Sequence, residues 1–145
     1  MKLLVINGPN MNMLGIRERE IYGEESYETL CGKIKSHCLT CGIDCELFQS
    51  NHEGAVVDKI QSAYRKVDAI VINPAAYTHT SIAIPDAIKA VGIPCVEVHI
   101  SDTESREDFR KINYIRPVCI ATVSGKGTDG YIEAIDTARK YLDEV

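Results

Sequence analysis

Two pairs of side chains in this chain have types and spacings suited to acid–base chemistry. Glu97 and His99 are two residues apart in an apolar run, so on a strand both project from one face. A carboxylate beside an imidazole selects its tautomer and favours its protonated form, which prepares a general acid. The alternative is a buried histidine satisfied by its neighbour. Arg17 and Tyr22 lie in a polar, glycine-flanked loop from Asn10 to Gly23. A loop of that length inside a small domain suits a lid or a binding loop. Tyrosine, with a reference pKa near 10, is a weak base unless a cation supports the phenolate. Arg17 is a candidate for that cation; a packed Tyr22 and a solvated Arg17 are the alternative.

Further polar groups cluster where apolar runs end. The segment NPAAYTHTS places His79 at the expected start of a helix, with Thr78 or Thr80 as capping candidates. Backbone amides there and at Ile100-Ser101 are ready donors for a carboxylate. Arg106 and Arg110 are spaced i, i+4, which on a helix puts both guanidinium groups on one face, facing either an anion or their neighbours Glu107 and Asp108.

The elements that must position these groups follow from periodicity. Leu3–Asn7, Ala69–Asn73, Pro94–Ile100 and Val118–Val123 are Val- and Ile-rich runs that suit strands buried on both faces, and Ile43–Phe48 alternates as an edge strand. Helical stripes run through Tyr27, Cys31, Ile34, Cys38 and Cys41, closed by Gly42. Others run through Val56, Val57, Ile60, Ala63 and Tyr64, and through Ile82, Ala83, Ala87, Ala90 and Val91, closed by Gly92. Arg106–Ile112 and Gly130–Leu142 complete five helices. Strands alternating with helices predict an α/β fold with a parallel sheet, whose crevice lies beyond the C-terminal strand ends.

Composition narrows the function. The 145 residues are 45% apolar and 26% charged, the balance of a single domain spanning 1–145. A net charge of −5 argues against nucleic acid as a partner. The opening apolar run is too short for a leader or a membrane span, so a cytoplasmic location and reduced thiols are expected. Gly125, Gly127 and Gly130 spell a dinucleotide motif, but too little chain follows for the rest of that unit, so a tight strand-to-helix turn is expected. Cys31, Cys38, Cys41 and Cys45 fall on apolar positions and are read as packing residues rather than metal ligands.

The chain resembles type II 3-dehydroquinate dehydratase almost end to end. The likeness rests on NGPNMNMLG with REREIYG, QSNHEG (Gln49–Gly54), INPAAYTHTS (Ile72–Ser81), EVHIS (Glu97–Ser101) and REDFR (Arg106–Arg110). It implies a flavodoxin-like, doubly wound, five-stranded parallel sheet in three αβα layers. It also implies a cofactor- and metal-independent anti elimination of water from 3-dehydroquinate through an enolate. Tyr22 would remove the C2 proton with support from Arg17. His99, oriented by Glu97, would protonate the leaving hydroxyl, and Asn10 would support the enolate oxygen. Asn73, His79 and Arg110 would hold the substrate hydroxyls and ring, and the Ile100 and Ser101 amides its carboxylate. Arg106 would organise the site. Asp86 would act across a subunit contact in a homododecamer of trimers. Met11, Met13, Arg19 and Asp102 depart from the residues usual in that family. The rival reading is a flavodoxin-like nucleotide- or flavin-binding module. It is weakened because Asn7–Gly15 lacks a P-loop lysine and a glycine-rich cradle.

Overall fold

The computed structural model describes all residues except Arg17 and Gly23, together with all side chains but those of Arg19 and Glu104. Five strands, β1 (Lys2–Asn7), β2 (Asp44–Gln49), β3 (Ala69–Asn73), β4 (Cys95–His99) and β5 (Ala121–Ser124), form one parallel sheet in the order β2-β1-β3-β4-β5. β1, β3 and β4 are buried almost throughout, as their unbroken Val/Ile runs require. The edge strand β2 alternates between exposed and half-buried positions.

Helices α1 (Arg19–Tyr22), α2 (Tyr27–Cys41), α3 (Glu53–Ser62), α4 (Ala83–Val91) and α5 (Asp129–Glu144) connect and flank the strands. One core places Leu3, Val5, Val71 and Val98 against Leu30, Ile34 and Cys38 of α2 and Tyr131, Ala134 and Ile135 of α5. On the opposite sheet face, Leu4, Ile6, Ile70 and Ile72 meet Val56 and Ile60 of α3 and Ile84 and Ile88 of α4. The layers are therefore helix, sheet, helix. Ser26 starts α2, its Oγ accepting from Thr29 N at 3.1 Å, and Gly42 ends it in the left-handed region at φ 70°.

Four sequence expectations need correction. The segment expected as a helix over Arg106–Ile112 holds only a short 3-10 turn, Asp108–Lys111, with another, Thr103–Ser105, just before it. It lacks an apolar stripe to bury, and a single helical turn gains too little without one. β5 begins at Ala121 rather than Val118, because Pro117 sits in a 3-10 turn over Arg116–Val118 and cannot donate to a ladder. β5 is also the second sheet edge, half-buried rather than enclosed on both faces. The buried stripe of α4 is Ile84, Ala87 and Ile88, while Ile82, Ala83 and Ala90 face outward.

The glycine motif after β5 is a tight strand-to-helix turn. Gly125 and Gly127 adopt φ 75° and 63°, and Gly130, in the first turn of α5, faces Val98 and Val123 of the sheet.

Candidate active site

β1, β3 and β4 end side by side at Asn7, Asn73 and His99, where the connections leaving β1 and β3 pass to opposite faces of the sheet, α2 on one and α4 on the other. The loops beyond these ends enclose a cleft open to solvent, where several polar groups converge as ligand sites require. Pro9 and Asn10 come from the β1 loop, Asn73, Ala75 and His79 from β3, and His99, Ile100 and Ser101 from β4. Tyr22, Arg106 and Arg110 line it as well.

Backbone geometry at the rim is tightly constrained. Gly8 N donates to Asn73 O at 2.8 Å, and a Cβ at Gly8 would lie 2.5 Å from Pro74 O, so only glycine allows the two loops to approach. Asn10 and Ala75 both take positive φ, 67° and 53°, a strained conformation for Ala75 that concentrates beside the cleft.

Glu97 and His99 are both buried. His99 Nε2 donates to Glu97 Oε2 at 2.5 Å, which leaves Nδ1 as the other ring nitrogen. Glu97 Oε2 also accepts from Asn113 Nδ2 at 2.7 Å, and Oε1 accepts from Thr122 Oγ1 at 2.8 Å. Asn113 is itself fixed, its Oδ1 accepting from the backbone N–H groups of Ile115 and Arg116. Burial pushes the Glu97 carboxyl upward, but the bonds from His99, Thr122 and Asn113 outweigh it and hold the group below the usual carboxylate range. Glu97 is therefore an ionised, fully engaged partner for the imidazole.

In the same cleft, Arg106 Nη1 donates to Tyr22 Oη at 2.7 Å, and its guanidinium carbon lies 5.2 Å from the ring centroid. Arg106 and Arg110 do not share an α-helical face, since Arg106 lies in the bend between the two short turns and Arg110 in the second; both nevertheless reach the cleft. Arg110 Nε donates to Glu107 Oε2 at 2.8 Å, and Arg106 Nε lies 3.8 Å from the same oxygen.

His79 does not start a helix. It closes a 3-10 turn over Ala75–His79, and Ser81 Oγ, rather than Thr78 or Thr80, caps α4 by accepting from Ile84 N at 3.0 Å. His79 Nδ1 donates to Ile112 O at 2.6 Å, so the neutral ring keeps Nε2 as an acceptor. Burial lowers its pKa, aided by the cations Arg110 and Arg106 and by His99, against the raising effect of the Ile112 carbonyl.

Beneath the cleft, Asn73 Nδ2 donates to Tyr131 Oη at 2.9 Å, and Tyr131 Oη donates to Asn7 Oδ1 at 2.5 Å. Asn73 Oδ1 accepts from Ala75 N, holding the strained turn. Burial raises the Tyr131 phenol far above its ordinary value, so it stays neutral.

The sequence profile of the family described as Dehydroquinase class II matches residues 1–139. The chain belongs to this family. Two similar relatives are 3-dehydroquinate dehydratases: that of Clostridium acetobutylicum, 54% identical over 99% of this chain and 100% of its own, and that of Fusobacterium nucleatum, 55% identical over the same shares. A solved type II dehydroquinase from Butyrivibrio crossotus superimposes with a TM-score of 0.95 at 55% identity, covering 96% of this chain and 97% of that one. The enzyme from Propionibacterium acnes gives 0.90 at 36% identity, covering 95% and 96%.

Within this class II dehydroquinase, the cleft gathers Asn10, Tyr22, Asn73, His79, His99, Ile100, Ser101, Arg106 and Arg110, with Glu97 directly behind His99. Arg17 lies outside the described residues. Asp86 sits exposed in the first turn of α4, away from the cleft of its own chain. Sequence reasoning missed Tyr131, Asn113 and Thr122. Tyr131 falls on the apolar stripe of α5 and reads as core, while the other two carry no local pattern.

Proposed function

We propose that this class II dehydroquinase dehydrates 3-dehydroquinate to 3-dehydroshikimate by anti elimination through an enolate, as a hydro-lyase. The observation that carries the reading is one cleft lined both by a phenol on a guanidinium and by an imidazole on an ionised carboxylate. Tyr22 Oη takes the C2 proton and the electron pair moves into the enolate. Arg106, and Arg17 as the family resemblance implies, support the charge on the phenolic oxygen. His99 delivers a proton to the C1 hydroxyl as it leaves as water, with Glu97 holding the imidazole in position. Asn10 supports the enolate oxygen, Asn73, His79 and Arg110 hold the ring and its hydroxyls, and the Ile100 and Ser101 amides take the carboxylate.

Purified enzyme mixed with 3-dehydroquinate is expected to generate the ultraviolet absorbance of the conjugated enone. Absence of turnover overturns the reading. The family assignment disfavours the nucleotide- or flavin-binding alternative.

No described helix is long and apolar enough to cross a membrane. A cytoplasmic homododecamer of trimers, with Asp86 supplied across a subunit contact, completes the proposal. Asp86 is exposed and remote from its own cleft, which fits that placement. Sedimentation showing a fully active monomer would exclude it.

A further inference from the structure

His37 and Cys41 stand one helical turn apart on α2, and Asp136 of α5 faces both. His37 Nε2 lies 2.7 Å from Asp136 Oδ1, and Cys41 Sγ lies 3.7 Å from the same nitrogen. The three ligand atoms all fall within 4.8 Å of one another, and each residue is partly buried. Among the described residues no other three His, Cys, Asp or Glu side chains converge in this way. None of the three lines the cleft.

We propose that His37, Cys41 and Asp136 form a binding site for a zinc-class divalent cation that clamps α2 to α5. An imidazole nitrogen, a thiolate and a carboxylate oxygen suit a borderline-soft, tetrahedral ion; magnesium and calcium demand oxygen-rich shells. With bond lengths of about 2.0–2.3 Å, tetrahedral ligand atoms sit roughly 3.3–3.6 Å apart. The Cys41–His37 separation is already close to that. The His37–Asp136 pair must widen by roughly half an ångström, which follows when the cation replaces the proton between them. Asp136 has 46% of its side chain exposed and rims a shallow groove open to solvent, so it is free to adjust and the cation can reach it. On binding, the Cys41 thiol proton passes to solvent and so does the proton between His37 Nε2 and Asp136, Nδ1 taking one up from solvent where the ring carried only that one, so that the imidazole binds through Nε2 with its one proton on Nδ1. Water takes the fourth position, as in other three-ligand sites.

The test is a cobalt(II) titration of the reduced, intact enzyme. Tetrahedral d–d bands and a thiolate-to-cobalt charge-transfer band should saturate at one equivalent per chain, and zinc should displace them. Cys41→Ser should remove the charge-transfer band, and His37→Gln and Asp136→Asn should each weaken binding at least about tenfold, since removing even an outer-shell partner of a ligand costs about 10- to 100-fold. Turnover of 3-dehydroquinate by Cys41→Ser should be unchanged, which shows that the variant is folded. Zinc should raise the melting temperature of the native enzyme and not of Cys41→Ser. Absence of a saturable band in the native enzyme overturns the proposal, as does a charge-transfer band that survives in Cys41→Ser. Either result would leave His37–Asp136 as an ion pair and Cys41 as a packing residue.

Discussion

Replacing Glu97 by glutamine tests the imidazole–carboxylate pair most directly, because it changes charge with almost no change in shape. The carboxylate receives three donors, His99 Nε2, Asn113 Nδ2 and Thr122 Oγ1, and is fully buried. A glutamine oxygen at the Oε2 position still accepts from His99 and Asn113, and the Thr122 hydroxyl can rotate to accept from the amide, so the fold should survive. What is lost is the charged character of the bond to His99. Hydrogen bonds to charged groups contribute about 1.5–3 kcal/mol, of which a neutral bond restores only part. If the imidazole acts as the acid, the loss appears in the transition state, where about 1.4 kcal/mol is tenfold in rate. We expect kcat to fall by roughly 10- to 100-fold with KM changed little. Steady-state dehydration followed by enone absorbance, alongside a denaturant titration, separates the two effects. A kcat within about threefold of the native enzyme, in a variant of native stability, would refute the idea that Glu97 prepares His99.

Tyr22→Phe keeps the ring over Arg106 and removes the proposed base, so kcat should drop by about two decades or more in the same assay; near-native turnover would place the base elsewhere. Tyr131→Phe leaves the buried amides of Asn7 and Asn73 each one partner short, and should cost about 2–4 kcal/mol in urea unfolding. A loss below about 1 kcal/mol would contradict the network. Gly8→Ala puts a methyl 2.5 Å from Pro74 O and should destabilise by about 1–3 kcal/mol through overpacking, read from the shift in urea midpoint. Because the folded Glu97 carboxyl titrates below its unfolded value, its contribution is present above about pH 4.3 and lost as pH falls through the folded value. The native enzyme should therefore lose melting temperature more steeply in acid than Glu97→Gln. Parallel acid profiles would count against that depression.

The elements carrying the site were legible where periodicity was strong. Ala69–Asn73 is a strand at the bounds its Val/Ile run implies, and Tyr27–Cys41 a helix closed by Gly42. The i, i+2 spacing placed Glu97 and His99 on one face because strand geometry is strictly alternating. The Arg106–Arg110 spacing misled, since i, i+4 carries meaning only on a formed helix and that segment has no apolar face to hold one. Both arginines reach the cleft by turn geometry that no short-range pattern encodes. The Arg106–Tyr22 bond spans 84 residues and the Tyr131–Asn7 bond 124. Such pairings depend on the strand order, which periodicity does not reveal.

Glu107 gives the cleft a resident counter-ion. Its carboxylate, on an exposed side chain, ion-pairs with Arg110 and borders Arg106, so any anion approaching these guanidinium groups competes with a carboxylate already there. Uptake of an acidic ligand is then an exchange, and its affinity reflects the difference between two carboxylates rather than the full attraction of two free cations. Simple inorganic anions, which bring no further contacts to the strand ends, gain little from such an exchange. A ring compound that also engages the floor and both walls gains much more. In a protein of net charge −5, a guarded pair of cations discriminates by shape as well as by charge.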